Sequence, residues 1–246
     1  MRPQLSVGDT LNRVFALYGS QAGVLLPAAF WLFLVVAIVD GLVGANFALL
    51  PVVIVVSTIA ATLYQGMVVG LVRDVQEGRA ESSFTQLLSH ATPVLLPLVG
   101  AGLLSGIAIG IGMVLLVAPG LFLLTIWAVI APVIVIERSG VIDSFGRSRE
   151  LVRGNGWPVF WVIIVAFLIS LAGGLIFGAI GNSVSDGPLV RIVFSALAST
   201  ITAPISALAA SVLYYRLLEL SNLSRPSGVS SDSASGSGST TTSDVR

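Results

Sequence analysis

The sequence has no cysteine and no lysine, a single histidine, and only 10% charged residues against 55% hydrophobic ones over 246 positions. Without cysteine there is no disulfide framework, no thiolate zinc site and no thiol nucleophile. His90 alone leaves little for metal or proton-relay chemistry and reads first as an incidental polar residue. All twelve cations are arginine and the net charge is zero, so a broad basic surface is excluded and nucleic acid is not an expected partner. An ordinary soluble domain carries roughly 25% charged residues. A mean hydropathy of +0.99 on top of so little charge excludes a soluble globule.

What is abundant is long apolar runs. About 20 consecutive apolar residues cross a hydrocarbon core roughly 30 Å thick, and six segments qualify: residues 23–43, 47–72, 93–117, 121–136, 157–180 and 190–218. The opening 22 residues carry Asp9 and Arg13 ahead of the first run, so a cleavable signal peptide is not expected there. Lipid offers the backbone no hydrogen-bond partners, and the alternation of a barrel strand is missing, so each run is predicted to be a helix. If the N-terminus is cytoplasmic, every arginine except Arg191 falls on the cytoplasmic side. The excess of positive charge therefore predicts both termini inside, in the plasma membrane of a prokaryote.

A pattern recurs three times: a short polar-faced helix followed by two spans. Ser6 and Asp9 have capping-box spacing, and Val7, Leu11, Val14, Phe15 and Tyr18 share a face. Ser83 and Gln86 repeat the cap, with Phe84, Leu87, Leu88 and Ala91 on the apolar side. Both copies enter their spans through VLLP, at Val24–Pro27 and Val94–Pro97. The third copy lies in IERSGVIDSFGRSRELVRGNGWPV, residues 136–159, which concentrates seven charged residues between Glu137 and Arg153. There Asp143 is the expected cap and Val141, Ile142, Phe145 and Val152 the apolar face. Asp143, Arg147, Glu150 and Arg153 lie opposite, spaced for Asp143–Arg147 and Arg147–Glu150 pairs. Gly154 suits a left-handed C-terminal cap, Pro158 the first turn of the next span, and Trp157 an interfacial anchor. The predicted units are 5–78, 79–138 and 139–220 within a membrane domain of residues 1–222. The Ser/Thr/Gly-rich stretch 223–246 is expected to be a disordered cytoplasmic tail.

Several polar residues in or near the spans are candidates for function. Asp40 is an intramembrane carboxylate by position, although it lies close to the outer end of its span. Asp186 and Arg191 are spaced to pair on the outer side. Glycines four apart, Gly106/Gly110 and Gly174/Gly178, suit close helix packing first and a pore or hinge second. Pro119, Pro132 and Pro204 free backbone carbonyls, either as tolerated kinks or as the elements of a broken transporter helix. Tyr64 and Gln65 read as interhelical contacts or as solute contacts.

The order of these features resembles a known family. Pro119-Gly120 opening a short span, Pro132 within it, Glu137 at its end and then SFGRSRELVRGNGWPVF are similar to the membrane domain attached to some glycerophosphoryl diester phosphodiesterases. They are equally similar to six-span inner-membrane proteins of the YciC type. LSVGDTLNRVFALYGSQAGVLLP and VLYYRLLEL match that family's opening and closing segments, so the resemblance covers residues 4–222. Arg147, Ser148, Leu151, Val152 and Gly154 match its central pattern, while Arg149 replaces a usual aromatic residue. The catalytic barrel of such phosphodiesterases, roughly 250 residues, has no room here, so the resemblance implies the membrane domain without its enzyme.

The sequence thus predicts an all-α membrane bundle of six transmembrane helices with three cytoplasmic interfacial helices. It is expected to be a noncatalytic scaffold or lipid-associated module, with no catalytic residue, metal or cofactor. Its expected partners are membrane lipid and a membrane-protein partner or second copy. A small-solute or lipid transporter is the alternative, and an intramembrane lipid-modifying enzyme the third reading. Asp40, Glu137 and Arg147 are the candidate functional polar residues, with Trp157 as the anchor.

Overall fold

A computed structural model describes residues 5–43, 46–78, 88, 92–185 and 187–223. The second amphipathic stretch apart from Leu88, together with His90, Asp186 and the tail beyond 223, lies outside the described residues. Among the described residues the regular structure is helical throughout. The elements are α1 (Val7–Val43), a 3-10 turn (Phe47–Leu49), α2 (Leu50–Gln76), a 3-10 turn (Thr92–Val94), α3 (Leu95–Leu115), α4 (Val117–Ile126), α5 (Ile130–Glu137), α6 (Val141–Val152), α7 (Gly156–Val184) and α8 (Pro188–Leu223). Six helical stretches are long and apolar enough to cross a membrane, α4 and α5 together forming the fourth. The chain is a multi-pass membrane protein.

Ser6 caps α1 as its spacing predicts: its Oγ accepts from the Asp9 N–H at 3.3 Å, and its carbonyl accepts from Thr10 Oγ1 at 2.7 Å. The first amphipathic stretch is not a separate interfacial helix, however. It continues without a break through Pro27 to Val43 as one 37-residue helix, about 55 Å long at 1.5 Å per residue. What keeps it helical beyond the hydrocarbon thickness is a partner of equal length, the 36-residue α8. The two run antiparallel in the most extensive pairing of the fold, burying Val14, Leu25 and Ala29 of α1 and Leu208, Leu213 and Leu217 of α8 together with Tyr64 and Met67 of α2. A smaller cluster joins α2, α3 and α5 through Val69, Leu98, Ala101 and Ile134. The face of the bundle carrying Leu5 and Leu223 is termed here the terminal face.

Two prolines sit inside these long helices, and each is served by a tyrosine. A proline removes one helical hydrogen bond and pushes the preceding turn open. Tyr64 Oη donates to the Leu25 carbonyl, in the turn before Pro27, and Tyr18 Oη donates to the Ile201 carbonyl, in the turn before Pro204, both at 3.2 Å. Tyr64 and Pro204 therefore belong to helix packing. On the opposite face Arg191 Nη2 lies 3.9 Å from Asp40 Oδ2, with side chains 61% and 51% exposed; the expected partner Asp186 lies outside the described residues.

The glycines that matter are not the stripes four apart. A Cβ at Gly106, Gly110, Gly174 or Gly178 would meet nothing within 4 Å. The close approach is instead at the α3–α4 hairpin, where a Cβ on Gly112 would lie 3.0 Å from the Gly120 Cα and one on Gly120 would lie 2.7 Å from the Met113 nitrogen. Backbone cannot yield there as a side-chain tip can. Gly120→Val is expected to lower stability by about 1–3 kcal/mol, the usual range for overpacking, whereas Gly106→Ala leaves the melting temperature in detergent unchanged or slightly raised.

Candidate functional site

The fourth span breaks halfway. Pro132 has no N–H for the Ala128 carbonyl and its ring crowds that oxygen; whereas α1 and α8 carry Pro27 and Pro204 without interruption, the helix here stops at Ile126 and restarts at Ile130. The chain turns over 127–129, with the Trp127, Ala128 and Ile130 amides bonded to the carbonyls of Leu123, Thr125 and Trp127 at 3.0, 3.4 and 3.3 Å. Irregular backbone at such a depth persists only where protein or water covers it. Here α6 covers it: Ser148 Oγ donates to the Ile126 carbonyl at 2.8 Å, and Phe145 meets Trp127 edge-to-face with centroids 4.8 Å apart.

Docking on the break decides which face of α6 is buried. Ser144, Ser148, Leu151 and Val152 turn inward, while Ile142, expected on the buried side, is 72% exposed to the surroundings. Serines allow the close approach, and an exposed isoleucine is at no disadvantage beside lipid. Gly140, not Asp143, is the N-cap, and no side chain caps the helix. Asp143 sits in the first turn, where its charge favours the helix dipole. The loop entering α6 places Arg138 at φ +54° and the loop leaving it places Gly154 at φ +93°, the left-handed cap expected of that glycine. Asn155 then ties this corner to the start of the chain by accepting the Leu5 N–H at 3.4 Å.

Glu137 and Arg147, both singled out in the sequence, come together at the end of α5. Arg147 Nε lies 3.1 and 3.0 Å from the two Glu137 oxygens, and Arg147 Nη1 bonds Glu150 Oε2 at 2.9 Å. The i,i+3 pair to Glu150 is the expected one; the expected Asp143 pair is replaced by Glu137. Burial works to lower the Arg147 pKa, but the hydrogen bonds and charges of Glu150 and Glu137 outweigh it and hold the guanidinium above its ordinary range. Tyr214 Oη of α8 donates to Glu137 Oε1 at 2.9 Å. Sequence reasoning missed Tyr214; its position in VLYYRLLEL was the only signal. Asp40 does not join this group, lying at the far end of α1 with Arg191. Trp157 is exposed in the first turn of α7, in edge contact with Phe160.

Two pockets flank the break. The larger, about 550 Å³, lies between α4, α6 and the start of α7, with Phe122, Ile126 and Val152 as apolar lining and Arg149, Glu150 and Arg153 as polar lining. Glu150 is engaged by Arg147, whereas Arg149 and Arg153 have no ion pair among the described residues. The smaller pocket, about 110 Å³, lies on the other side of the break, between it, α2 and α3. Among the described residues no three His, Asp or Glu side chains converge as a metal site would require.

No family model matches the chain, and no solved structure matches it. Among curated proteins it is similar to a UPF0259 membrane protein of Pectobacterium carotovorum, with 32% identity over 142 residues, 57% of this chain and 55% of that protein. The chain thus spans about half the length of that relative.

The Glu137–Arg147 pair has side chains 27% and 29% exposed, so screening by solvent is partial. A double-mutant cycle with Glu137→Gln and Arg147→Met, read from thermal unfolding in detergent, is expected to give a coupling energy of about 1 kcal/mol. That coupling should shrink in high salt.

Proposed function

We propose that this membrane protein is a noncatalytic, lipid-associated module that holds an anionic phospholipid in the pocket between α4, α6 and α7. The observation that carries the reading is that two arginines with no ion pair among the described residues, Arg149 and Arg153, share a pocket with an apolar floor of Phe122, Ile126 and Val152. That combination suits a phosphodiester above an acyl chain. Guanidinium groups bind phosphate oxygens through charge-assisted hydrogen bonds, and the free amides of the first turn of α7, next to Gly154 and Gly156 in the pocket wall, add favourable dipoles. The departure of Arg149 from the aromatic residue of the resembled family gives this chain the second cation.

Sidedness is part of the proposal. With the terminal face in the cytoplasm of a prokaryotic plasma membrane, the arginine excess obeys the positive-inside rule and the pocket meets the leaflet whose anionic lipids attract basic groups. The resemblance to the phosphodiesterase membrane domain agrees with a lipid-facing role separate from any hydrolase. Glu137 is engaged by Arg147 and Tyr214, which supports a structural part for it.

Native mass spectrometry with phosphatidylglycerol and phosphatidylcholine tests this. The wild-type protein should retain phosphatidylglycerol preferentially, and the Arg149→Ala/Arg153→Ala variant should bind it about tenfold or more weakly, since one charge-assisted hydrogen bond is worth about 1.5–3 kcal/mol. Arg13→Ala, on exposed α1 surface, should bind as wild type. Equal retention of both lipids, or no loss in the double variant, refutes the site.

A further inference from the structure

The smaller pocket has polar groups set in a largely apolar wall, where polarity is least expected. Thr62 and Gln65 of α2, Gly102 and Ser105 of α3, and Trp127 and Ala128 of the break line one part of it, and Leu98, Ala101, Ile109, Ile130 and Ala131 line the rest. Each of the first group lies near the middle of its span, within Leu50–Gln76, Thr92–Leu115 and Val117–Glu137 respectively. Polar groups from three spans thus meet at mid-length around one pocket.

The local hydrogen bonding shows what is left over. Thr62 Oγ1 donates to the Thr58 carbonyl at 2.7 Å and Ser105 Oγ to the Gly102 carbonyl at 3.1 Å, so both hydroxyls keep lone pairs for an outside donor. The Ala128 carbonyl lost its helical donor to Pro132. Neither the Gln65 amide nor the Trp127 indole N–H has a hydrogen-bond partner among the described residues. An amide without a partner inside a bilayer is costly, and this one faces a pocket of about 110 Å³, room for a few waters at roughly 30 Å³ each.

We propose that this pocket binds a small uncharged polar molecule carrying both a donor and an acceptor, of the size and chemistry of a primary amide, and is hydrated when that molecule is absent. The donors on offer are the Gln65 N–H groups and the Trp127 indole. The acceptors are the Ala128 and Gln65 carbonyls and the two hydroxyls. No charged side chain lines the pocket, so an ion there would lose its hydration without a counter-charge. Discontinuous helices at mid-membrane build solute sites in this manner elsewhere. The site is separate from the arginine pocket and does not depend on a lipid occupying it.

The absence of native cysteine makes the test direct. Ser105→Cys and Gln65→Cys are introduced singly into the full chain, with Ile107→Cys as a lipid-facing control on α3, and each is purified, checked for a monodisperse profile and reconstituted into liposomes. A small water-soluble methanethiosulfonate reagent should label positions 105 and 65 and leave 107 largely unlabelled. Acetamide at high concentration should slow labelling of Ser105→Cys several-fold, while sodium chloride at equal osmolarity should not. Labelling at neither pocket position, labelling that acetamide does not slow, or protection by sodium chloride instead would overturn the proposal.

Discussion

The bond from Ser148 to the Ile126 carbonyl is the contact on which the rest of this structure turns. A chain in lipid cannot leave its backbone uncovered, yet the fourth span breaks after Ile126, ahead of Pro132. The exposed turn has to be roofed, and α6 supplies the roof with serines small enough to approach and an aromatic ring to fill the gap over Trp127. Once α6 is fixed there, its charged residues have no freedom of placement. Arg147 falls against Glu137, and Arg149 and Arg153 are carried to the edge of the α4–α7 pocket.

Seen this way, the dense charge of residues 137–153 is a consequence of docking. Arg147 is held by two carboxylates and Glu137 by an arginine and a tyrosine from the far end of the chain. These ties close α5, α6 and α8 around the terminal face. Of the other three arginines in the stretch, Arg149 and Arg153 line the larger pocket. On either side of the same break there is a pocket, one lined by Arg149 and Arg153 and the other by Gln65 and Trp127.

Features set by local rules were readable in the sequence. The six spans needed only length and hydropathy, Ser6 only its spacing to Asp9, and Gly154 only the positive φ that a residue with no Cβ accepts without strain. Features set by the lipid or by distant chain were not. Periodicity placed Val141, Phe145 and Val152 on the inner side of α6, where they pack, but assigned Ile142 there too, and in a membrane an isoleucine is as well placed outside. The glycine stripes at Gly106/Gly110 and Gly174/Gly178 follow a real packing rule that Gly112 and Gly120 satisfy in their place, because Leu116 alone joins α3 to α4 and so holds their backbones together. Tyr214 lies 77 residues from Glu137, a separation no local pattern spans. Gln65 was flagged singly, and only the fold puts it beside Trp127 and Ala128 at one pocket.

Amide hydrogen exchange across residues 126–130, in protein embedded in lipid nanodiscs, tests the central claim that α6 roofs the broken span. The account predicts that the Trp127, Ala128 and Ile130 amides exchange slowly in the wild-type protein and many-fold faster in Ser148→Ala, with α1 and α8 unchanged. Rapid exchange at these amides in the wild type, or no acceleration on losing the serine hydroxyl, would contradict it.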